Sequence, residues 1–345
     1  MAVLKGRKTR KLLEQYATVE SKDSEREIVE AIGTIGEPAV KHIVEAVQHR
    51  QLDAEKAQVL FEQLSDSVSV EMTVSLMGDA SSNVRTIARR LLTKRGSKAC
   101  TSILVAHIDS PNSFLRTNAT ELLIRFKDPA AVSELIGMFH GADTALKGSI
   151  IKIVGVVENE PAKKLVISAL NDDAWQVRLA AVRSLTTMQD PESVMPLIEK
   201  LEEQEPQIKL SALDILGTMG DKRAVKPMIA LLKDPDLLIR QKSTEYLIEI
   251  ADASCVPAII ALMKDKDVNV RRCAIELLDS IKDPRTSSAL MDAIKDADWW
   301  VREIATDGLT RLKGHNIING FIAMAKDGDE GLRRCAVEFF NKVTD

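Results

Sequence analysis

A period of thirty-one residues constrains this chain more than any other feature. Stepping by that interval from Arg302 reaches Arg333 ahead and, behind, Arg271, Arg240, Lys209, Arg178, Lys147, Arg116 and Arg85. All nine are cationic, although Lys and Arg supply only 47 of 345 residues. Neighbouring columns keep step. The residue before the cation is always aliphatic, from Val84 to Leu332. Three residues after it stand Ala88, Ala119, Ile150, Ala181, Ala212, Ser243, Ala274, Ala305 and Ala336. Seven after it the column runs Leu92, Leu123, Val154, Leu185, Leu216, Leu247, Leu278, Leu309 and Phe340. Offsets of −1, +3 and +7 mark one stripe of an α-helix, and small residues at +3 let a neighbouring helix approach closely. Each unit is too thin to bury its stripe alone, so neighbours must stack.

The second half of each period carries another helix. DPESVMPLIEKL (190–201) aligns with DKRAVKPMIALL (221–232), DASCVPAIIALM (252–263) and DPRTSSALMDAI (283–294). The leading Asp can cap a first turn. Pro196, Pro227 and Pro257 would damage a helix interior, so the helix proper is predicted to begin near the fourth residue of this segment. Each unit therefore reads helix A, turn, helix B, turn. Upstream, SEREIVEAIGTIGEPAVKHIVEAV (24–47) follows the same design, with Gly33 and Gly36 matching Gly217 and Gly220. Residues 54–77 fit loosely, and 8–18 read as a lone first helix. The predicted organisation is a single all-α solenoid over 1–345. It has a capping helix in 1–20, regular repeats from about 79, about ten helical pairs and an incomplete last repeat at 345.

The unit that shows the design best is DDAWQVRLAAVRSLTTMQDPESVMPLIEKL (172–201). It resembles the HEAT repeat, in the short bacterial and archaeal variety also found in phycobilisome lyase subunits. The resemblance covers about residues 20–345. It implies a right-handed α-α superhelix with helices A on the convex side and helices B on the concave side. It also implies roles that are mostly scaffolding and partner binding. A few members of the family bind DNA or assist chromophore attachment, and one enzyme branch binds iron through paired His-Glu motifs. The motif is specific for fold and nearly silent about function.

Composition narrows the function classes. No run of eighteen apolar residues exists, so no membrane span is expected. The N-terminal MAVLKGRKTRKLLEQY is basic without an apolar core or cleavage site, which places the protein in the cytoplasm as an expectation. Its cations are expected to solvate the capping helix. A net charge of −4 argues against a dedicated nucleic-acid binder, without excluding a local basic stripe. Cys100, Cys255, Cys273 and Cys335 form no CxxC pair, and Cys273 and Cys335, two repeats apart, are beyond disulfide reach. None of His42, His49, His107, His140 and His315 is followed by Glu, so the iron-binding pattern is absent. No HExxH, Walker or GxSxG motif occurs. No catalytic residue, metal or cofactor is expected, and the chain reads as a non-enzyme.

Candidate sites lie in the columns. The nine-cation ladder is expected to be structural. Acids six residues before it (Asp79, Asp172, Glu203, Asp234, Asp265, Asp296, Asp327) and four before it (Asp143, Glu205, Asp236, Asp267, Asp298, Asp329) can cap helix A. They can also pair with the cation of their own or the adjacent repeat. Lys233, Lys264, Lys295 and Lys326 recur at the end of helix B. They either complement the helix C-terminus or form a basic ridge for an acidic partner surface.

Trp175 and Trp299 share one column in the turn that opens helix A, and Trp300 occupies the next. One of the adjacent pair is expected to pack on the neighbouring turn and the other to stay partly exposed, suited to partner contact. On helix B, the mostly small column Ala106, Gly137, Ser168, Glu199, Ala230, Ala261, Asp292 and Ala323 is expected to serve close packing. The variable column Ser102, Ser133, Lys164, Met195, Lys226, Pro257, Ser288 and Asn319 is expected to form the exposed concave face. In the last helix, Phe339 and Phe340 have no helix B after them, which suggests a further C-terminal domain or an end-to-end contact with another chain at an uncapped edge. The functional expectation is a non-enzymatic protein-interaction scaffold or adaptor that binds a protein partner on its concave face or turn rim, free-standing or as a module of a larger signalling or assembly protein. The alternatives are a phycobilin-lyase-like chromophore-handling subunit and nucleic-acid binding along the lysine ridge.

Overall fold

In a computed structural model, which describes residues 2–188, 190–312 and 315–344, every regular element among those residues is helical. The chain falls into two compact units, Met1–Ala169 and Leu170–Asp345. The first contains α1 (Ala2–Thr18), α2 (Lys22–Ile35), α3 (Val40–Gln48), α4 (Ala54–Gln63), α5 (Val70–Ser75) and α6 (Ser82–Arg95). It continues with α7 (Ser97–Val105), α8 (Ser113–Phe126), α9 (Ala130–Phe139), α10 (Thr144–Val154) and α11 (Glu160–Ala169). The second contains α12 (Trp175–Met188), α13 (Val194–Glu199), α14 (Pro206–Met219), α15 (Val225–Ala230), α16 (Leu237–Ile250) and α17 (Val256–Leu262). After these come α18 (Val268–Ile281), α19 (Ser287–Ala293), α20 (Trp299–Leu312), α21 (His315–Met324) and α22 (Glu330–Thr344). Within each unit A helices pack on the next A helix, as α12 on α14 and α14 on α16, and each B helix packs on the A helix that follows it. The lone first helix is longer than the sequence suggested. It starts at Ala2 and packs on α2 and α3.

The columns explain why neighbours stack. Every residue at +3, from Ala88 to Ala336, is 0 % exposed. The −1 and +7 columns are buried as well, except Leu332 and Phe340, which are half-buried. Burying an aliphatic side chain contributes roughly 1.5–3 kcal/mol, and the small residue at +3 keeps the facing helix close enough to collect it.

Helix B starts as the prolines demand. Asp221, Asp252 and Asp283 accept the backbone N–H two residues on at 2.9, 2.9 and 2.8 Å, each opening a short 3-10 turn. The α-helix then begins at Val194, Val225, Val256 and Ser287, the fifth residue of the segment and one later than expected. Pro196, Pro227 and Pro257 thus sit in first turns, where no helical N–H is needed.

The glycine pair of the sequence has two separate jobs. Gly220 caps α14 at φ 64°, a left-handed conformation that costs other residues energy. At the same register Lys127 and Lys282 adopt φ 50° and 52°. Gly217 serves contact instead. A Cβ there would overlap the ring of Tyr246, which lies across it from α16 and donates to Asp214 at 2.9 Å. Burial, then the Asp214 carboxylate, push the Tyr246 phenol up to about 12. Replacing a helical glycine by alanine normally gains about 1 kcal/mol. Here Gly217→Ala should instead destabilise by about 1–3 kcal/mol through overpacking, read as a lower denaturation midpoint. A midpoint that rises would contradict the contact.

Two expectations are corrected. The small-residue column of helix B does not pack against a neighbour. Ala106, Gly137, Ser168, Glu199, Ala230, Ala261, Asp292 and Ala323 are all exposed. They lie four residues after Ser102, Ser133, Lys164, Met195, Lys226, Pro257, Ser288 and Asn319, which are exposed as expected. The two columns form one smooth solvent-facing stripe on each B helix. Nor is Phe339 left bare, because α21 covers it and its ring stacks on Phe321 with centroids 3.8 Å apart.

Candidate partner-binding surfaces

The ladder is built into the turns. Arg85, Arg178, Arg240, Arg271, Arg302 and Arg333 fold back so that Nη1 donates to the carbonyls six and five residues before, at 2.6–3.2 Å. Arg116 makes one such bond, to Ser110 at 2.6 Å. Six residues before the cation, Asp79, Asp172, Asp234, Asp265, Asp296 and Asp327 each accept the N–H two residues on, at 2.8–3.0 Å. The acid four before it caps helix A at Asp143, Asp236, Asp267, Asp298 and Asp329. Glu205 is the departure, with no side-chain cap bond. Arg178, Lys209 and Arg271 also reach the acid of the next repeat, at Glu203, Asp234 and Asp296. Lys147 lies over the Phe139 ring at 5.3 Å. One rung differs. Asp265 is taken by Lys233 at 2.7 Å, and the buried Nε of Arg240 has no hydrogen-bond partner.

With its turns tied in this way, the chain presents the first residue of each helix A to solvent. In the second unit that position runs Trp175, Pro206, Leu237, Val268 and Trp299, and ends on the charged Glu330. Trp175, Leu237 and Trp299 are 40, 55 and 58 % exposed. Pro206 is exposed and Val268 half-buried. The same position in the first unit is Ser82, Ser113 and Thr144. Trp300 anchors the rim. It packs edge-on against Trp299, centroids 5.5 Å apart, and its Nε1 donates to Glu276 of α18 at 3.2 Å. Leu238, 47 % exposed, widens the apolar strip. In the sequence only the tryptophans stand out here, and Pro206, Leu237 and Val268 do not. Their shared apolar character was the available signal.

The lysines stand on the same turns, at the ends of the B helices. Lys264, Lys295 and Lys326 are exposed and have no acidic partner among the described residues. Lys233 is exposed but paired with Asp265. The aspartates that come after the lysines are largely engaged elsewhere, Asp234 by Lys209 and Asp296 by Arg271. Met195 and Lys226 do not join this rim. They belong to the exposed stripes of α13 and α15. Between α17 and α19 a cleft of about 280 Å³ opens on that face, lined by Met263, Lys264, Ala289 and Asp292 among others.

Among the described residues no three His, Cys, Asp or Glu side chains converge as a metal site. The cysteines are free. Burial pushes the Cys100 and Cys273 thiols up, which disfavours the reactive thiolate. No helix among the described residues is long and apolar enough to cross a membrane.

Stacked helical pairs joined by turns of this kind define an α-helical repeat protein. Residues 194–254 and 227–310 match the model for HEAT repeats, and 177–203 match that for the PBS lyase HEAT-like repeat. Residues 177–310 thus carry HEAT repeats, those at 177–203 of the PBS-lyase-like variety. No curated protein matches it. Among solved structures, Kap95p in its RanGDP complex is similar at 10 % identity and a TM-score of 0.54, over 98 % of this chain and 56 % of that one. The karyopherin Kap121p bound to the extreme C-terminus of the protein phosphatase Cdc14p is similar at 10 % identity and a TM-score of 0.51, over 97 % and 45 %. This chain thus spans about half the length of these karyopherins. The CpcE–CpcF complex of phycocyanin lyase from Nostoc sp. PCC7120 matches at 20 % identity and a TM-score of 0.37, over 71 % and 93 %.

Proposed function

We propose that the protein is a non-enzymatic scaffold whose second unit holds a protein partner along its turn rim. The observation that carries this reading is the exposed apolar position repeated from Trp175 to Trp299, beside unpaired Lys264, Lys295 and Lys326. Contiguous exposed apolar surface rimmed by charge is typical of interaction sites. The partner is expected to present apolar side chains flanked by carboxylates, spaced at the roughly 8–10 Å separation of stacked helices. The karyopherin likeness supports the fold that such a role requires.

The test is quantitative affinity capture from the native cell extract with wild type, Leu237→Ser/Trp299→Ser, and Lys264→Glu/Lys295→Glu/Lys326→Glu. All of these positions are exposed, so folding is preserved. Loss of a rim anchor should weaken a captured protein at least tenfold, the scale of hot-spot residues. Charge reversal should slow association and reduce its salt dependence. Undiminished capture of every species by both variants would defeat the proposal.

A further inference from the structure

A second surface lies on the A-helix side of the first unit and has the opposite chemistry. Between Arg85 and Lys127 the chain carries nine Lys or Arg and only two acids, Asp109 and Glu121, within a protein of net charge −4. Several of these cations are structural. Arg85 and Arg116 tie their turns, and Arg95 donates to the carbonyls of Ser65 and Val68. The others converge. Thr86, Arg89, Arg90, Thr93 and Lys94 share one face of α6, and with Arg125 at the end of α8 they line an open cleft of about 530 Å³.

Lys94 and Arg125 are exposed and have no partner among the described residues. Arg90 meets only the neutral amide of Gln58. Arg89 is the one member with an acid, Glu121 at 3.0 Å. The two threonine hydroxyls donate to their own helix, so the charged groups are the available donors.

The helix dipole accounts for Lys94, Arg95 and Arg125, which sit in last turns. It does not account for Arg89 and Arg90, a full turn earlier. Arg90 and Lys94 are like charges at i, i+4, an arrangement that costs an isolated helix a few tenths of a kcal/mol. Solubility does not require a cation there either. At the register position of Arg90, five of the second unit's six A helices carry an acid, at Asp214, Glu245, Glu276, Asp307 and Glu338, and only Arg183 is a cation. A bound anion would offset the repulsion.

The lining also says which anion. It contains no aromatic ring on which a base could stack and no apolar side chain to enter a lipid layer. Carboxylates flank it on two sides, Glu121 at Arg89 and Glu62 beyond Gln58. A long polyanion would meet those acids, whereas a single compact dianion would not. Arginine forks backed by a lysine are the usual donors to a phosphoryl group.

We propose that this cleft binds a phosphorylated serine or threonine in a protein segment, with Arg90, Lys94 and Arg125 as the phosphate ligands. The ligand class rests on the scaffold reading, but the site is separate from the rim. Leu237→Ser/Trp299→Ser should leave it intact, and cleft variants should leave rim capture intact, so the two can fail independently.

The experiment measures retention of the full chain on an immobilised peptide library degenerate around a central phosphoserine or phosphothreonine. Comparators are the same library unphosphorylated, phosphatidylserine-containing vesicles and duplex DNA. The phosphorylated library should retain wild type and the others should not. Arg90→Glu and Arg125→Gln should each weaken retention by roughly tenfold, as expected for a charge-assisted bond. Arg90→Glu turns a repelling pair into an attracting one, so its melting temperature should hold or rise while retention falls. Retention on neither library, equal retention on both, retention unchanged in the variants, or binding to vesicles or DNA instead would each overturn the assignment. A fall in the melting temperature of Arg90→Glu matching its loss of retention would assign Arg90 to structure.

Discussion

Phe339→Ala is expected to remove about 3–5 kcal/mol of stability, the scale for deleting a buried phenyl ring from a core. Phe339 is 1 % exposed and Phe321 0 %. Their rings lie parallel, 13° apart in tilt and 3.8 Å between centroids, and Phe340 adds an edge contact at 5.5 Å. The pair is the main aromatic bond between α21 and α22. Alanine would leave a ring-sized void that two helices in contact can close only by shifting register. In a stack where each repeat touches only its neighbours, stability is close to a sum of local terms. The loss should therefore be local. Hydrogen exchange in α21 and α22 should accelerate strongly, while α12 to α16 keep their protection. Unchanged exchange in α22 would mean that the stacked pair does not hold it.

This result also bears on what the sequence could disclose. The thirty-one-residue step, the buried stripe of helix A and the capping acids were all legible, because each is a chemical requirement recurring at one spacing. Ala88 and its equivalents at +3 could be recognised as close-approach positions because the columns on either side are aliphatic. The small column of helix B, Ala106 to Ala323, invited the same reading and did not deserve it. A short side chain fits a tight contact and an open surface equally well, and only the neighbouring helix distinguishes them. Exposure decides the rim too. Leu237 and Trp299 are apolar residues at the start of a helix, and they become a candidate site only because the arginine ladder holds the turns so that first positions face water. The basic cleft escaped for another reason. A net charge of −4 averages a strongly cationic stretch, Arg85 to Lys127, with an acidic remainder, and it is local charge that attracts an anion.

The second large effect is expected from the ladder, at Arg271. Its Nε and Nη2 hold both oxygens of Asp296 at 2.8 and 2.9 Å, and its Nη1 reaches the carbonyls of Asp265 and Lys266 at 3.0 and 3.2 Å. The two side chains are only 14 and 11 % exposed. Burial opposes ionisation of Asp296, but the Arg271 hydrogen bonds, with the Asp298 N–H, outweigh it and hold the carboxyl below its ordinary range. Asp296 in turn raises the Arg271 guanidinium. Arg271→Met would strand a nearly buried carboxylate and leave two turn carbonyls unpaired. Breaking one side of such a pair typically costs about 3–5 kcal/mol. Asp296→Asn on the Arg271→Met background should recover part of that loss, because the stranded charge is then gone. The pH dependence has a definite sign. A folded carboxyl held below its unfolded value of about 3.9 adds stability above that pH and loses it as the pH falls through the folded value. Wild type should therefore lose this contribution in acid, and Arg271→Met should lack it. The gap between their urea midpoints should be widest at neutral pH and shrink progressively as the pH falls below about 3.9. Additive losses in the double-mutant cycle, with a gap that ignores pH, would show that the two repeats are joined by apolar packing alone.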